Sequence, residues 1–97
     1  MKSTEQICFA LGLAQKAGKL VSGDQGISDG LKKGKVRYVL IAADASPRSR
    51  EKLEFGCQSS HVPYGNGPDM ATLGAAIGKS PRAAVAILDS HFLKLML

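Results

Sequence analysis

The sequence predicts an α/β fold in which helices and short strands alternate along a chain of 97 residues. Two nearly apolar runs, residues 36–43 and 82–88, are typical of strands that are buried on both faces of a sheet. Segments with apolar residues at helical spacing lie around them, and most are bounded by a capping residue or a glycine. A chain of this length forms one core, so we expect a single domain over residues 1–97.

The first helix is expected to start at a cap supplied by Ser3 or Thr4 and to run to about Ala17. Its apolar side chains recur mostly at helical spacing, and Gly18 supplies the stop. Residues 19–22 then predict a short strand.

The second helix is expected to begin at an Asp24 cap, to continue through Lys33 and to close at Gly34. Gly26 and Gly30 lie inside it on one face, although each costs roughly 1 kcal/mol relative to Ala in a helix interior. Two explanations stay open. The glycines either permit close packing against a neighbouring element or allow the first turn of the helix to approach a ligand backbone.

Ser46 followed by Pro47 marks the start of a third helix, which we expect to reach about Ser59. Arg50 and Glu54 stand four residues apart on it and can pair on its exposed face.

Residues 61–64 predict a short peripheral strand because they contain a proline, and residues 65–68 predict a turn. A fourth helix should start at an Asp69 cap and end at Gly78, and Ser90 should start a terminal helix over residues 91–97. The predicted order is α-β-α-β-α-β-α-β-α. This order indicates a layered sandwich with a mixed or parallel sheet that is covered on both faces.

The charge balance favours an anionic partner. Thirteen Lys and Arg residues stand against eight Asp and Glu residues, which gives a net charge of +5. The cations cluster at 32–37 and 48–52 rather than spreading evenly, as is typical of nucleic-acid-binding surfaces. No apolar run is long enough to span a bilayer and no cleavable leader is evident, so we expect a cytoplasmic protein without a membrane partner.

No set of residues demands catalysis. Residues 74–80 look like a phosphate-binding P-loop but are one residue short, and they precede a strand instead of following one. His61 and His91 have no evident relay partner, and Asp44 is better explained by a turn or capping role. Cys8 and Cys57 lack metal-ligand spacing and are best explained as small buried side chains.

We therefore expect neither an enzyme nor a protein that binds a cofactor, a metal ion or a small-molecule substrate.

The start of the second helix is the best candidate for a binding site. Backbone N–H groups at Gly23, Asp24, Gln25 and Gly26 form a ready phosphate site at the positive end of the helix dipole. Lysines near the other end of the helix add a basic flank, although they also suit the dipole there. These are Lys32, Lys33 and Lys35.

The ordered segments LVSG, LKKGK, VLIAADASP, HVPY, LGAAIGK and AAVAI resemble the large-subunit ribosomal proteins of the seven-Ae and thirty-e family, in particular its small bacterial homologues. The resemblance covers roughly residues 4–95. It implies a three-layer α-β-α sandwich with a central four-stranded mixed sheet, and binding to kink-turns in structured RNA such as ribosomal RNA.

The family carries the motif Gly-x-Asn-Glu-x-x-Lys at this helix start, where the Asn, Glu and Lys contact RNA. Aligned without gaps, the Gly is Gly23, and the other three positions hold Gln25, Gly26 and Asp29. A shift of one residue would instead place Asp24 and Gln25 at the Asn and Glu positions, and this register stays open. The family's second contact region, the loop after the fourth helix, brings in two cations, Lys79 and Arg82.

The leading hypothesis is a non-catalytic, ribosome-associated protein whose single domain binds structured RNA through these two regions. The alternative is a protein-interaction module of the same fold with weak or no specific RNA recognition.

Overall fold

The computed structural model describes residues 2–97 and confirms the predicted alternation of helices and strands. The helices are α1 (Thr4–Lys16), α2 (Asp24–Lys32), α3 (Pro47–Ser59), α4 (Met70–Ala76) and α5 (Ser90–Met96). The strands are β1 (Leu20–Ser22), β2 (Tyr38–Ile41), β3 (Tyr64–Asn66) and β4 (Ala84–Ile87). Among the residues described, no helix has the length and apolar character that a membrane span requires.

The four strands form one mixed sheet in the order β1-β4-β2-β3. Strand β4 runs antiparallel to both β1 and β2, whereas β2 and β3 are parallel. The carboxyl ends of β1, β2 and β3 therefore meet at one edge of the sheet, together with the start of β4. We call this the upper edge (Ser22, Ile41, Asn66 and Ala84) and the opposite one the lower edge (Leu20, Tyr38, Tyr64 and Ile87).

Helices cover both faces of the sheet and give three layers. On one face α1, α4 and α5 pack against side chains that include Leu40 and Val85. On the other face α2 and α3 pack against side chains that include Val39 and Ala86. Successive residues of β2 and β4 thus enter opposite cores, because side chains alternate along a strand. All residues of both strands are buried, as predicted.

Three predicted helix caps are confirmed. Ser3, Ser46 and Asp69 each accept a hydrogen bond from the backbone N–H three residues later. Hydrogen bonds from the side chain and backbone of Thr72 hold the pKa of Asp69 below its ordinary value. The predicted pair on α3 also forms, with Arg50 Nη1 lying 3.7 Å from a carboxylate oxygen of Glu54.

Two helix starts differ from the prediction by one residue. The N-cap of α2 is Gly23, and Asp24 is the first residue of the helix. The N-cap of α5 is Asp89 rather than Ser90, because the Asp89 carboxylate accepts the N–H of His91 at 2.9 Å.

The third strand lies later in the chain than predicted. It was expected at residues 61–64, with a turn after it, but is found at Tyr64–Asn66. The residues before Pro63 close the end of α3 instead. Pro63 has no N–H for the ladder, although its carbonyl accepts from Val39 N at 3.1 Å. The predicted peripheral position is confirmed, since β3 is an edge strand.

The two cysteines occupy different environments. Cys57 is completely buried, as predicted, and burial together with the Glu54 charge raises the pKa of its thiol to about 11. Cys8 is only half-buried, and burial raises the pKa of its thiol. Neither thiol is activated, because thiolate formation is disfavoured at both positions.

The end of α3 contains a local strain that substitution can relieve. His61 has φ 57°, in the left-handed region that costs an L-residue about 1–2 kcal/mol. We expect His61→Gly to raise the free energy of unfolding by about 0.5–1 kcal/mol, after allowance for the freer unfolded chain. Urea denaturation measures the change.

Ser60→Gly is the control. Ser60 has φ −96°, a conformation that any residue adopts, so glycine relieves no backbone strain there. Equal stabilisation by both substitutions would contradict this account of the helix end.

Candidate nucleic-acid interface

The turn from β1 into α2 requires a glycine. Gly23 has φ 86° and ψ 153°, a backbone conformation that is essentially restricted to glycine. No side chain caps α2. Within residues 2–97, the N–H groups of Asp24, Gln25 and Gly26 have no protein acceptor. These three donors are therefore available to an anion or a carbonyl oxygen at the positive end of the helix dipole.

Arg82 is fixed beside this helix start. Its Nε donates to Ser22 Oγ at 3.2 Å, and its Nη1 donates to Ser80 Oγ at 2.8 Å. The pairing of Ser22 with Val85 brings the two chain segments together across the β1–β4 ladder. No carboxylate of residues 2–97 pairs with Arg82, so its charge is held in place without being neutralised.

Gly74 determines the path of the loop that carries Arg82. The Ser80 carbonyl oxygen lies 2.2 Å from where a Cβ on Gly74 would be, so no side chain fits there. Lys79 N donates to the Gly74 carbonyl at 2.8 Å, and Gly78 has φ +70°. Lys79 itself is exposed. In the sequence, Gly74 stands out only as part of a failed P-loop pattern. Its position inside a helix is the signal that points to a structural role.

Gln25 and Asp29 are joined on the exposed face of α2. Gln25 Nε2 donates to Asp29 Oδ1 at 3.0 Å. This bond uses one N–H of the amide and leaves its carbonyl oxygen and second N–H free. It also places a negative charge beside the first turn of the helix.

The three predicted lysines lie at the far end of α2. The helix ends at Lys32, and Lys33 is its C-cap. A helix of nine residues rises about 12 Å between its first and last residues. The structure therefore brings Arg82 to the helix start but does not bring Lys32, Lys33 and Lys35 there.

The two helical glycines have different surroundings. A Cβ on Gly30 would lie 2.9 Å from Cγ2 of Val36, a contact that requires a shift. A Cβ on Gly26 would lie 3.7 Å from Cβ of Val21, which is ordinary van der Waals contact. Close packing thus explains Gly30 but not Gly26.

The other residues considered from the sequence have structural contacts. Asp44 Oδ1 accepts the N–H of Met70 at 2.8 Å, so its capping role is confirmed, although it serves α4 rather than the helix that follows it. Arg50 Nη2 donates to the Ala42 carbonyl at 2.7 Å. The rings of His91 and Phe92 meet edge to face at 5.5 Å. Residues 2–97 contain no cluster of side chains suited to a metal ion.

Comparison with known proteins identifies the family. The model of the ribosomal protein L7Ae/L30e/S12e/Gadd45 family matches residues 5–97. The chain belongs to this family.

The curated relatives include two that are 37% identical to this chain. The chain is 37% identical to the RNA-binding protein YlxQ of Bacillus subtilis, over 84% of this chain and 82% of that protein. It is also 37% identical to the large ribosomal subunit protein eL30B of Schizosaccharomyces pombe, over 92% of this chain and 78% of that protein.

Solved structures confirm the L7Ae-type fold. A Bacillus halodurans C protein of unknown function has a TM-score of 0.86 and 29% identity, with 97% of this chain and 95% of that chain covered. The 15.5kD RNA binding protein of Giardia lamblia has a TM-score of 0.80 and 22% identity, with 95% of this chain and 79% of that chain covered. At that identity the second likeness concerns the fold alone.

The different surroundings of Gly26 and Gly30 can be tested by measuring the free energy of unfolding of alanine variants at the two positions. We expect Gly26→Ala to raise the free energy of unfolding by up to about 1 kcal/mol, because alanine favours the helix and meets no obstruction. Gly30→Ala is the matched control. Its crowding against Val36 should offset the same helical gain and leave the protein less stable than Gly26→Ala by about 1 kcal/mol or more. Thermal and urea denaturation of both variants give the comparison, and a destabilising Gly26→Ala would contradict it.

Proposed function

We propose that this protein is a non-catalytic RNA-binding protein that associates with the ribosome and recognises kink-turn-like structured RNA. The start of α2 and the loop after α4 form the binding surface. The observation that carries the proposal is the 3.2 Å bond from Arg82 Nε to Ser22 Oγ, which joins these two regions into one surface. The names of the two curated relatives, one RNA-binding and one a large-subunit ribosomal protein, support it.

Phosphate binding and base recognition are assigned to different groups. The free N–H groups at the start of α2 and the guanidinium of Arg82 bind phosphate oxygens and set the orientation of the RNA. Lys79, three residues before Arg82, adds an exposed cation to this loop. Gln25 supplies a base contact through its free carbonyl oxygen and second N–H.

The exposure of α2 supports the family alignment without gaps. Gln25 and Asp29 are both exposed and share one face of the helix. Ser28, which would take the Lys position in the shifted register, lies in the groove between α2 and α3. The Lys position of the motif then falls on Asp29, where a carboxylate weakens phosphate binding.

The exchange of a cation for Asp29 gives a direct test. We expect Asp29→Lys to increase affinity for a kink-turn RNA by about tenfold at 0.1 M salt, and to steepen the log-log salt dependence by about 1, because one phosphate contact is added. Ser28→Lys is the matched control and should increase the affinity for the kink-turn RNA by less than Asp29→Lys does. A larger gain from Ser28→Lys would favour the shifted register instead.

If Gln25 contacts a base, its removal should lower the affinity for kink-turn RNA more than the affinity for a plain duplex. Gln25→Ala should weaken binding to kink-turn RNA by about 1–3 kcal/mol and leave the salt slope unchanged, because hydrogen bonds and not charges are removed. Gln15→Ala on α1 is the control. A loss that is equal for kink-turn RNA and a plain duplex would contradict the role of Gln25 in recognition.

The function as a whole is tested by calorimetric titration of the protein with a kink-turn RNA and with a plain duplex of equal length. Tighter binding to the kink-turn RNA is expected. Failure of both RNAs to bind at about 0.1 M salt would refute RNA binding, because the electrostatic contribution is strong there.

A second candidate function, a protein-interaction module, is favoured by the groove between α2 and α3. The groove encloses about 300 Å³, and Phe55 on its rim is 70% exposed. A protein partner that stays bound at high salt and is lost on Phe55→Ser, but not on Phe9→Ser, would support this candidate. Phe9 is a suitable control because it is 67% exposed on α1, across the sheet.

A further inference from the structure

The lower edge of the sheet gathers cations that are far apart in the sequence. Lys16 ends α1, Lys19 precedes β1, and Arg37 precedes β2. The lysines at the end of α2 lie at the same edge, because that helix crosses from the upper edge at Ser22 to the start of β2. The complete set, called the basic edge below, is Lys16, Lys19, Lys32, Lys33, Lys35 and Arg37, and all six are exposed.

Backbone hydrogen bonds fix the spacing of two members. The Lys19 carbonyl accepts from Leu88 N at 2.9 Å, and Arg37 N donates to the Ile87 carbonyl at 2.7 Å. Lys19 and Arg37 therefore flank the end of β4 from its two sides. Two strand spacings separate them, which is about 10 Å.

Almost no negative charge opposes the basic edge. Asp89, which follows β4, is the one carboxylate beside it, and its oxygen accepts the N–H of His91. The nearest carboxylate of α2, Asp29, is bonded to Gln25 and so is directed towards the helix start. Within residues 2–97, none of the six cations forms an ion pair.

The excess of positive over negative charge in the chain lies at the basic edge. The basic edge holds six of the 13 cations, and Asp89 is one of the eight carboxylates. The remaining seven cations are matched by seven carboxylates, so the difference of +5 arises at this edge. The upper edge, by contrast, carries three carboxylates: Asp24 begins α2, Asp44 follows β2, and Asp69 caps α4.

We propose that the basic edge binds the phosphate backbone of a second, double-stranded RNA segment while the upper edge holds the interrupted one. This inference rests on the proposed function, because it assigns a further contact to the same partner. The exposed aromatic side chains Phe9 and Phe55 lie within α1 and α3. Phe55 shares the groove between α2 and α3 with Lys32, so the rest of the basic edge is the part that offers phosphate contacts without base stacking. Backbone contacts of this kind suit a duplex.

The dimensions of the protein allow one folded RNA to reach both edges. The molecule measures 29 × 26 × 22 Å along its principal axes, so the two edges lie less than 29 Å apart. Two helical arms of a bent RNA can approach each other within such a distance. The protein would then bridge the two arms.

The test uses the intact protein, a plain RNA duplex and a kink-turn hairpin. The variant Lys19→Gln/Arg37→Gln removes two charges of the basic edge and keeps the backbone bonds of both residues. We expect it to lower the magnitude of the duplex salt slope by about 2 and to weaken duplex binding by about tenfold per charge at 0.1 M salt. The ratio of kink-turn to duplex affinity should not fall.

Lys2→Gln/Lys94→Gln is the matched control, since it removes two exposed cations that lie beside each other and away from the edge. Its effect on duplex binding should be clearly smaller. A protein already saturated with a kink-turn hairpin whose arms are too short to reach the basic edge should also bind a labelled duplex, as a slower complex in a native gel. The Lys19→Gln/Arg37→Gln variant should lose that complex.

The outcomes separate this inference from the proposed function. Equal effects of the two double variants, or displacement of the hairpin by the duplex, would overturn the second contact and leave kink-turn binding intact. Binding to vesicles of anionic phospholipid but not to duplex would also overturn it. Duplex binding through the basic edge without any preference for the kink-turn RNA would support the second contact and refute the proposed recognition at the upper edge.

Discussion

The position of β4 between β1 and β2 is the constraint on which the rest of the structure depends. β4 is buried on both faces and pairs antiparallel with each neighbour. Its pairing with β1 brings Ser22 and Arg82, which are 60 residues apart in the sequence, within hydrogen-bond distance. Its pairings with β1 and β2 together place Lys19 and Arg37 on the two sides of its far end. Both charged surfaces therefore depend on one strand.

Glycine has three different roles around this sheet. Gly23 provides a backbone conformation that side chains do not allow, and Gly74 leaves room for the loop that carries Arg82. Gly30 lets α2 lie close to Val36. Gly26 has none of these roles, and close approach of a ligand to it stays a prediction.

The distribution of charge suggests a division between recognition and attraction. The upper edge has oriented donors and one fixed guanidinium but also carries carboxylates, so under the proposed function it would discriminate more than it attracts. The basic edge carries the net charge and has no comparable arrangement of donors. Long-range attraction of an RNA would depend on the second surface, and its correct placement on the first.

The sequence by itself determined the order of elements, the two buried strands, the caps at Ser46 and Asp69, and the family, and it narrowed the first cap to Ser3 or Thr4. These features are local, because hydrophobic period and capping chemistry are set within a few residues. The bounds of β3 were wrong because they depend on hydrogen bonds to β2, which is distant in the sequence. Only the tertiary structure decided that Arg82 lies at the start of α2 and that the lysines of the same helix lie at the opposite edge. Strand pairing brings residues together irrespective of their separation along the chain, and a helix holds its two ends apart.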